Sequence, residues 1–76
     1  MMVTVYSTPS CPYCTLTKDF LNENEIEFRD VDVSEDMETA KEMFEKSGKT
    51  AVPQIDIDGT IIIGFDKDLL TEKLDL

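Results

Sequence analysis

The stretch Ser10-Cys11-Pro12-Tyr13-Cys14 stands where an alternating apolar run hands over to an amphipathic one, and it constrains the fold more than any other. Pro12 lacks an amide hydrogen and holds φ near the helical value, so it belongs at the first position of a helix. Cys11 is then the N-cap, its sulfur facing the unsatisfied amide hydrogens of Tyr13 and Cys14 at the positive end of the helix dipole. That setting favours a thiolate. A free thiol titrates near about 8.5, whereas cysteines of Cys-x-x-Cys pairs at helix starts ionise well below that. Cys11 is the expected nucleophile. Cys14, one turn further in and more shielded, is placed to attack a mixed disulfide and release the product. Residues 1–17 contain no Asp, Glu, Lys or Arg, although the chain carries 17 acids against 7 bases. No carboxylate close in sequence opposes the ionised sulfur.

Three other uses of such a pair exist. A structural zinc site takes four Cys or His ligands, and with two Cys and no His the chain could supply one only across a dimer. As a staple, a disulfide closing so short a loop is worth only about 2 kcal/mol on the chain-entropy estimate. A shared iron–sulfur cluster would need thiolates from outside the chain. The expectation is a catalytic pair, no metal and no tightly bound cofactor.

Seventy-six residues make one domain, near the lower size limit for an unaided hydrophobic core. The net charge of −10 argues against nucleic acid or an anionic membrane as partner, either of which needs a basic face. The acids are read first as a solvated face and second as a means of steering toward a basic partner surface. No run of 18 or more apolar residues is present, and the first residues lack the basic and apolar regions of a signal peptide. A cytoplasmic monomer is expected, in a reducing compartment where a disulfide is more often catalytic than structural.

Residues 2–7 alternate in a β-branched, aromatic-rich run and predict a strand. A helix follows from Pro12 to about Asn24, with Leu16, Phe20 and Leu21 as its apolar stripe. Residues 26–33 read as a second strand whose apolar phase slips between Ile26/Phe28 and Val31/Val33, and strand, helix, strand implies a parallel crossover. Ser34 is the expected N-cap of a second helix, with Met37, Ala40, Met43 and Phe44 buried and Gly48 as its stop. Residues 52–57 predict a third strand opened by Pro53, Asp58-Gly59 a tight turn, and residues 60–63 a fourth strand buried on both faces. Asp66 caps a last helix whose Leu69, Leu70 and Leu74 face inward. The order is βαβαββα.

With Cys-Pro-Tyr-Cys between first strand and first helix, and Thr50-Ala51-Val52-Pro53 ahead of the third strand, the chain resembles the glutaredoxin family of the thioredoxin fold over nearly all its length. The resemblance implies an α/β fold: a single thioredoxin-fold domain over residues 1–76, a four-stranded mixed sheet flanked by three helices. It implies that Pro53 is cis and faces Cys11, that Val52 beside Ala51 offers backbone hydrogen bonds to a bound peptide or glutathione, that Tyr13 lines the entrance, and that Gly64, Phe65 and Asp66 complete the binding surface. Protein disulfides or glutathionylated proteins would be the clients. Glutathione as co-substrate, or a thioredoxin-reductase-type enzyme, would be the reductant.

Two positions depart from the glutathione-using pattern. Thr8 stands where a Lys usually precedes the motif, and Ile63-Gly64 stands where a Gly-Gly pair is usual; Lys49 is a candidate replacement for the lost cation. Gly64-Phe65-Asp66 resembles the Gly-Phe segment of glutaredoxin-like hydrogen donors reduced by thioredoxin reductase. The same residues also read plainly as a strand end, a core filler and a helix cap. Thioredoxins proper differ in the dipeptide between the cysteines and carry a buried Asp before the motif. A non-enzymatic cluster-carrying or docking module that kept the fold is the rival from another class.

Overall fold

The first strand is the centre of the molecule. In the computed structural model, which describes residues 2–76, all five residues of β1 (Val3–Ser7) are buried. They can be because β1 is flanked on both sides: it pairs in parallel with β2 (Arg29–Asp32) and antiparallel with β3 (Gln54–Ile57), which pairs antiparallel with β4 (Thr60–Ile63). The sheet order is β2-β1-β3-β4. Helices α1 (Pro12–Glu23), α2 (Met37–Ser47) and α3 (Lys67–Lys73) complete the expected βαβαββα order.

Alternation along β1 divides the core in two. Val3 and Val5 join Phe20 and Leu21 of α1, Ile55, Ile57 and Ile62 of the hairpin, and Leu70 and Leu74 at α3. Tyr6 points the other way, into a smaller cluster with Val31 of β2 and Met43 of α2. Burying each large aliphatic side chain contributes about 1.5–3 kcal/mol, so the first cluster carries most of the stability.

Several expectations need correction. The second strand begins at Arg29, not at residue 26, because α1 ends in a turn that takes Glu25 to φ 58°. Ile26 and Phe28 pack on the larger cluster from this connection, outside the ladder, which accounts for the slipped phase. The N-cap of α2 is Asp36, whose carboxylate accepts from the Glu38 N–H at 2.9 Å. Ser34 is diverted two residues earlier, its N–H and hydroxyl both donating to Asp32 Oδ1. Of the stripe expected on α2 only Met43 is fully buried; Met37 and Phe44 are 89% and 50% exposed, because the small cluster covers just one narrow face of the helix. Leu16 is likewise exposed. The inner face of α1 is set by Cys14, Thr17, Phe20 and Leu21, and Thr17 is admitted because its hydroxyl donates to Tyr13 O at 2.8 Å.

At the hairpin, Val52 and Pro53 lie before the strand, which starts at Gln54. Asp58 and Gly59 make the expected turn, both at positive φ. The last strand is not buried on both faces: β4 is an edge strand, Ile62 is covered, and Ile63 is 45% exposed. Asp66 caps α3 as expected, accepting from the Leu69 N–H. Gly48 ends α2 at φ 72° with its N–H on Phe44 O.

Candidate redox site

Three segments meet at the end of the sheet where β1 finishes. The first is the turn into α1. Cys11 donates its N–H to Thr8 O and takes extended backbone angles as N-cap, Pro12 follows at the first helical position, and Thr15 N–H returns to Cys11 O. The Cys11 sulfur accepts the Cys14 N–H at 3.1 Å. Of the two amides expected to face it, that of Cys14 is the one in hydrogen-bond contact. Cys11 and Cys14 are joined as a disulfide with their Cα atoms 5.2 Å apart. Cys14 is 1% exposed and Cys11 is half-buried, so the outer sulfur is the one a partner can reach. Tyr13, 62% exposed, stands between them on the surface.

The second segment is the loop ahead of β3. Tyr6 is paired with Gln54, so the chain entering β3 through Val52 and Pro53 runs beside the chain leaving β1 toward Cys11. The Val52–Pro53 bond is cis, as the resemblance implied. Pro53 is buried, Val52 half-buried and Ala51 exposed. The loop is held from below. The Gln54 amide donates to Lys49 O at 3.0 Å and Ala51 O at 2.8 Å, and Ser47 Oγ accepts from the Lys49 N–H at 3.0 Å. Lys49 is exposed, and among the described residues its ammonium makes no ion pair.

The third segment leaves β4. Gly64 donates its N–H to Pro53 O at 2.8 Å, which fastens it directly to the second segment. Its φ of 87° is one that a side chain would strain. Phe65 turns inward, its ring edge-on to Phe20 with centroids 6.1 Å apart, and Asp66 is spent on the cap of α3. The plain structural roles of these three residues are therefore filled. Of the three, Gly64 is the one in contact with Pro53.

Folding brings acids to this end of the sheet that spacing alone keeps away from the cysteines. Asp32 lies opposite Ser7 in the parallel ladder. Its carboxylate is engaged by the Ser34 hydroxyl and amide, which hold it below the usual range. Lys18 on α1 pairs with Asp30 at 2.9 Å and ties the helix to β2.

The glutaredoxin family model matches residues 3–62, a span that includes both cysteines and Pro53. The chain belongs to the glutaredoxin family. Among its relatives, an uncharacterized glutaredoxin-like 8.6 kDa protein in the rubredoxin operon of Clostridium pasteurianum is 48% identical, covering 95% of this chain and 100% of that one. Glutaredoxin 3 of Escherichia coli K12 is 36% identical over 84% of this chain and 77% of its own length. Among solved structures, a variant of the thioredoxin-like protein BC3987 superposes with a TM-score of 0.92 at 29% identity, covering 96% and 94% of the two chains. This glutaredoxin-family chain is a thioredoxin-fold redox protein with a Cys-x-x-Cys pair.

Two features of this glutaredoxin-family chain escaped the sequence reading. One is the Gln54 clamp under the cis-proline loop, signalled only by a polar residue between Pro53 and Ile55. The other lies on the α2 face. The buried Tyr6 hydroxyl donates to Glu42 at 2.5 Å and accepts from Lys46 at 2.8 Å, and Lys46 reaches Asp56 at 2.7 Å. A strand tyrosine whose ring is buried calls for such partners, but which residues supply them depends on how α2 crosses the sheet.

Proposed function

We propose that this chain is a small dithiol thiol–disulfide oxidoreductase that reduces protein disulfides or glutathione mixed disulfides, with Cys11 as nucleophile and Cys14 as resolving thiol. The observation that carries the reading is the Cys14 N–H directed at the exposed-side sulfur on the N-cap of α1. In the reduced protein the Cys11 thiolate attacks one sulfur of the target. The target S–S bond breaks, its other sulfur leaves as a thiolate that takes a proton from solvent, and a mixed disulfide to Cys11 remains. Cys14 then loses its proton to solvent and attacks Cys11 Sγ, forming the Cys11–Cys14 disulfide and releasing the second target sulfur as a thiolate. Two electrons have passed from protein to target. No histidine is needed, because a thiolate already stabilised by the helix start requires no base to activate it.

Pro53 would hold the two loops in register, and Tyr13, Ala51, Val52, Gly64, Phe65 and Asp66 would form the surface against which the client lies. We place the protein in the cytoplasm as a monomer without a resident cofactor. Glutathione is the first candidate for reductant. A second reading, electrons from a thioredoxin-reductase-type enzyme, is favoured by Thr8 and by Ile63-Gly64-Phe65, which withhold the cation and the small residue that glutathione's carboxylates and backbone would use. Oxidised protein incubated with NADPH and either glutathione plus its reductase, or thioredoxin reductase, separates the two by which mixture regenerates free thiols. Failure of both would favour a non-enzymatic module.

A further inference from the structure

One buried amide spends both its hydrogens on the loop before Pro53. Gln54 is 1% exposed, and its Nε2 donates to Lys49 O and Ala51 O at 3.0 and 2.8 Å. Two carbonyl acceptors fix which end of the amide faces the loop, since a flipped side chain would set oxygen against oxygen. Oε1 is left without a partner among the described residues. A buried orphan acceptor costs stability, and an apolar side chain at this position, like those of Ile55 and Ile57, would avoid the cost. What the amide achieves must lie in the loop.

The Ala51–Val52 peptide is trans, the cis bond being the one after it. In a planar trans peptide the C=O and the N–H point in opposite directions. Drawing Ala51 O inward to Gln54 therefore turns the Val52 N–H outward. Among the described residues neither that N–H nor the Val52 C=O finds a partner within the chain. A donor and an acceptor on one half-buried residue, beside the chain that leads to Cys11, form a short edge to which an extended peptide can pair.

We propose that Gln54 is a positioning residue that aims the Val52 N–H at the backbone of a substrate, so that reduction of disulfides borne on a peptide depends on it while reduction of small disulfides without a peptide backbone does not. This rests on the oxidoreductase reading above. The test is a single turnover with pre-reduced protein, comparing the rate constant for a synthetic octapeptide disulfide with that for bis(2-hydroxyethyl) disulfide. Their ratio cancels changes in Cys11 ionisation. Gln54→Met, similar in length but without a donor, is expected to lower the ratio about tenfold, the loss of roughly one hydrogen bond to substrate. Gln54→Glu is expected to show a low ratio at a pH high enough to ionise the buried carboxyl, which burial and the two facing carbonyls hold above the usual carboxylate range, and a ratio that recovers toward wild type as pH falls and the carboxyl can again donate. An unchanged ratio in both variants, whether the two rates persist or fall together, would overturn the proposal. Wild-type protein that reduced neither compound would instead overturn the reading beneath it.

Discussion

The backbone N–H of Cys14 points at the sulfur of Cys11 across 3.1 Å, so one contact both caps α1 and holds the sulfur proposed as nucleophile. Serine caps a helix well, and Cys11→Ser should keep the helix start while losing the nucleophile. The reduced variant is expected to unfold within about 1 kcal/mol of reduced wild type and to have no disulfide reductase activity. Cys14→Ser is expected to accumulate a mixed disulfide with a dithiol client, visible by mass spectrometry, and to retain removal of glutathione from a glutathionylated protein. Normal turnover by Cys11→Ser would show the roles to be misassigned.

On the opposite face, pH acts through Tyr6, Glu42 and Lys46. The Tyr6 hydroxyl holds the Glu42 carboxyl below its ordinary 4.5, so this contribution is present above that value and is lost as pH falls through the lowered one. Burial and the Glu42 hydrogen bond raise Tyr6 above its ordinary 10.0, and the Asp56 and Tyr6 hydrogen bonds raise Lys46 above its ordinary 10.5. Those contributions are complete below the ordinary values and are lost as pH rises through the raised ones. Melting temperature against pH should therefore show a plateau with losses on both sides. Glu42→Gln should make the acid limb shallower, leaving the part due to Asp32, and an acid limb identical to wild type would remove Glu42 from the explanation.

Leu21, fully buried in the larger cluster, tests where stability resides. Leu21→Ala should cost about 2–5 kcal/mol in denaturant unfolding, enough to leave so small a domain marginal. Phe44→Ala on the half-exposed face of α2 should cost far less. Comparable losses would contradict the division of the core.

Gly48 ends α2 at φ 72° with nothing within 4 Å of where a Cβ would sit. The cost of Gly48→Ala is then purely that of the left-handed backbone, about 1–2 kcal/mol. Gly48→Asn should lose less, and equal losses would point to a packing role instead.

Element order could be read from the chain because each segment carries a clear period and most boundaries carry a chemical mark: Pro12 opening α1, Gly48 closing α2, Asp58-Gly59 turning the hairpin, Asp66 starting α3. Periodicity names the apolar face of an element but not how much of it a neighbour covers. That is why Leu16, Met37, Phe44 and Ile63 read as core and stand in solvent. Ser34 and Asp36 are both good caps, and the choice fell to Asp36 because Asp32 captures Ser34, a competition between side chains that spacing does not reveal. The paired cysteines and the cis Pro53 were readable because both are tied to short motifs. Gln54 was not, since its partners are carbonyls set by the path of the loop.

The central claim is that the Cys11 sulfur is an accessible thiolate at neutral pH. Carbamidomethylation of the reduced protein by iodoacetamide, followed residue by residue across pH, measures it directly. A Cys11 inflection below about 7 is predicted; one near about 8.5, that of an ordinary cysteine, would contradict the assignment of Cys11 as the activated nucleophile.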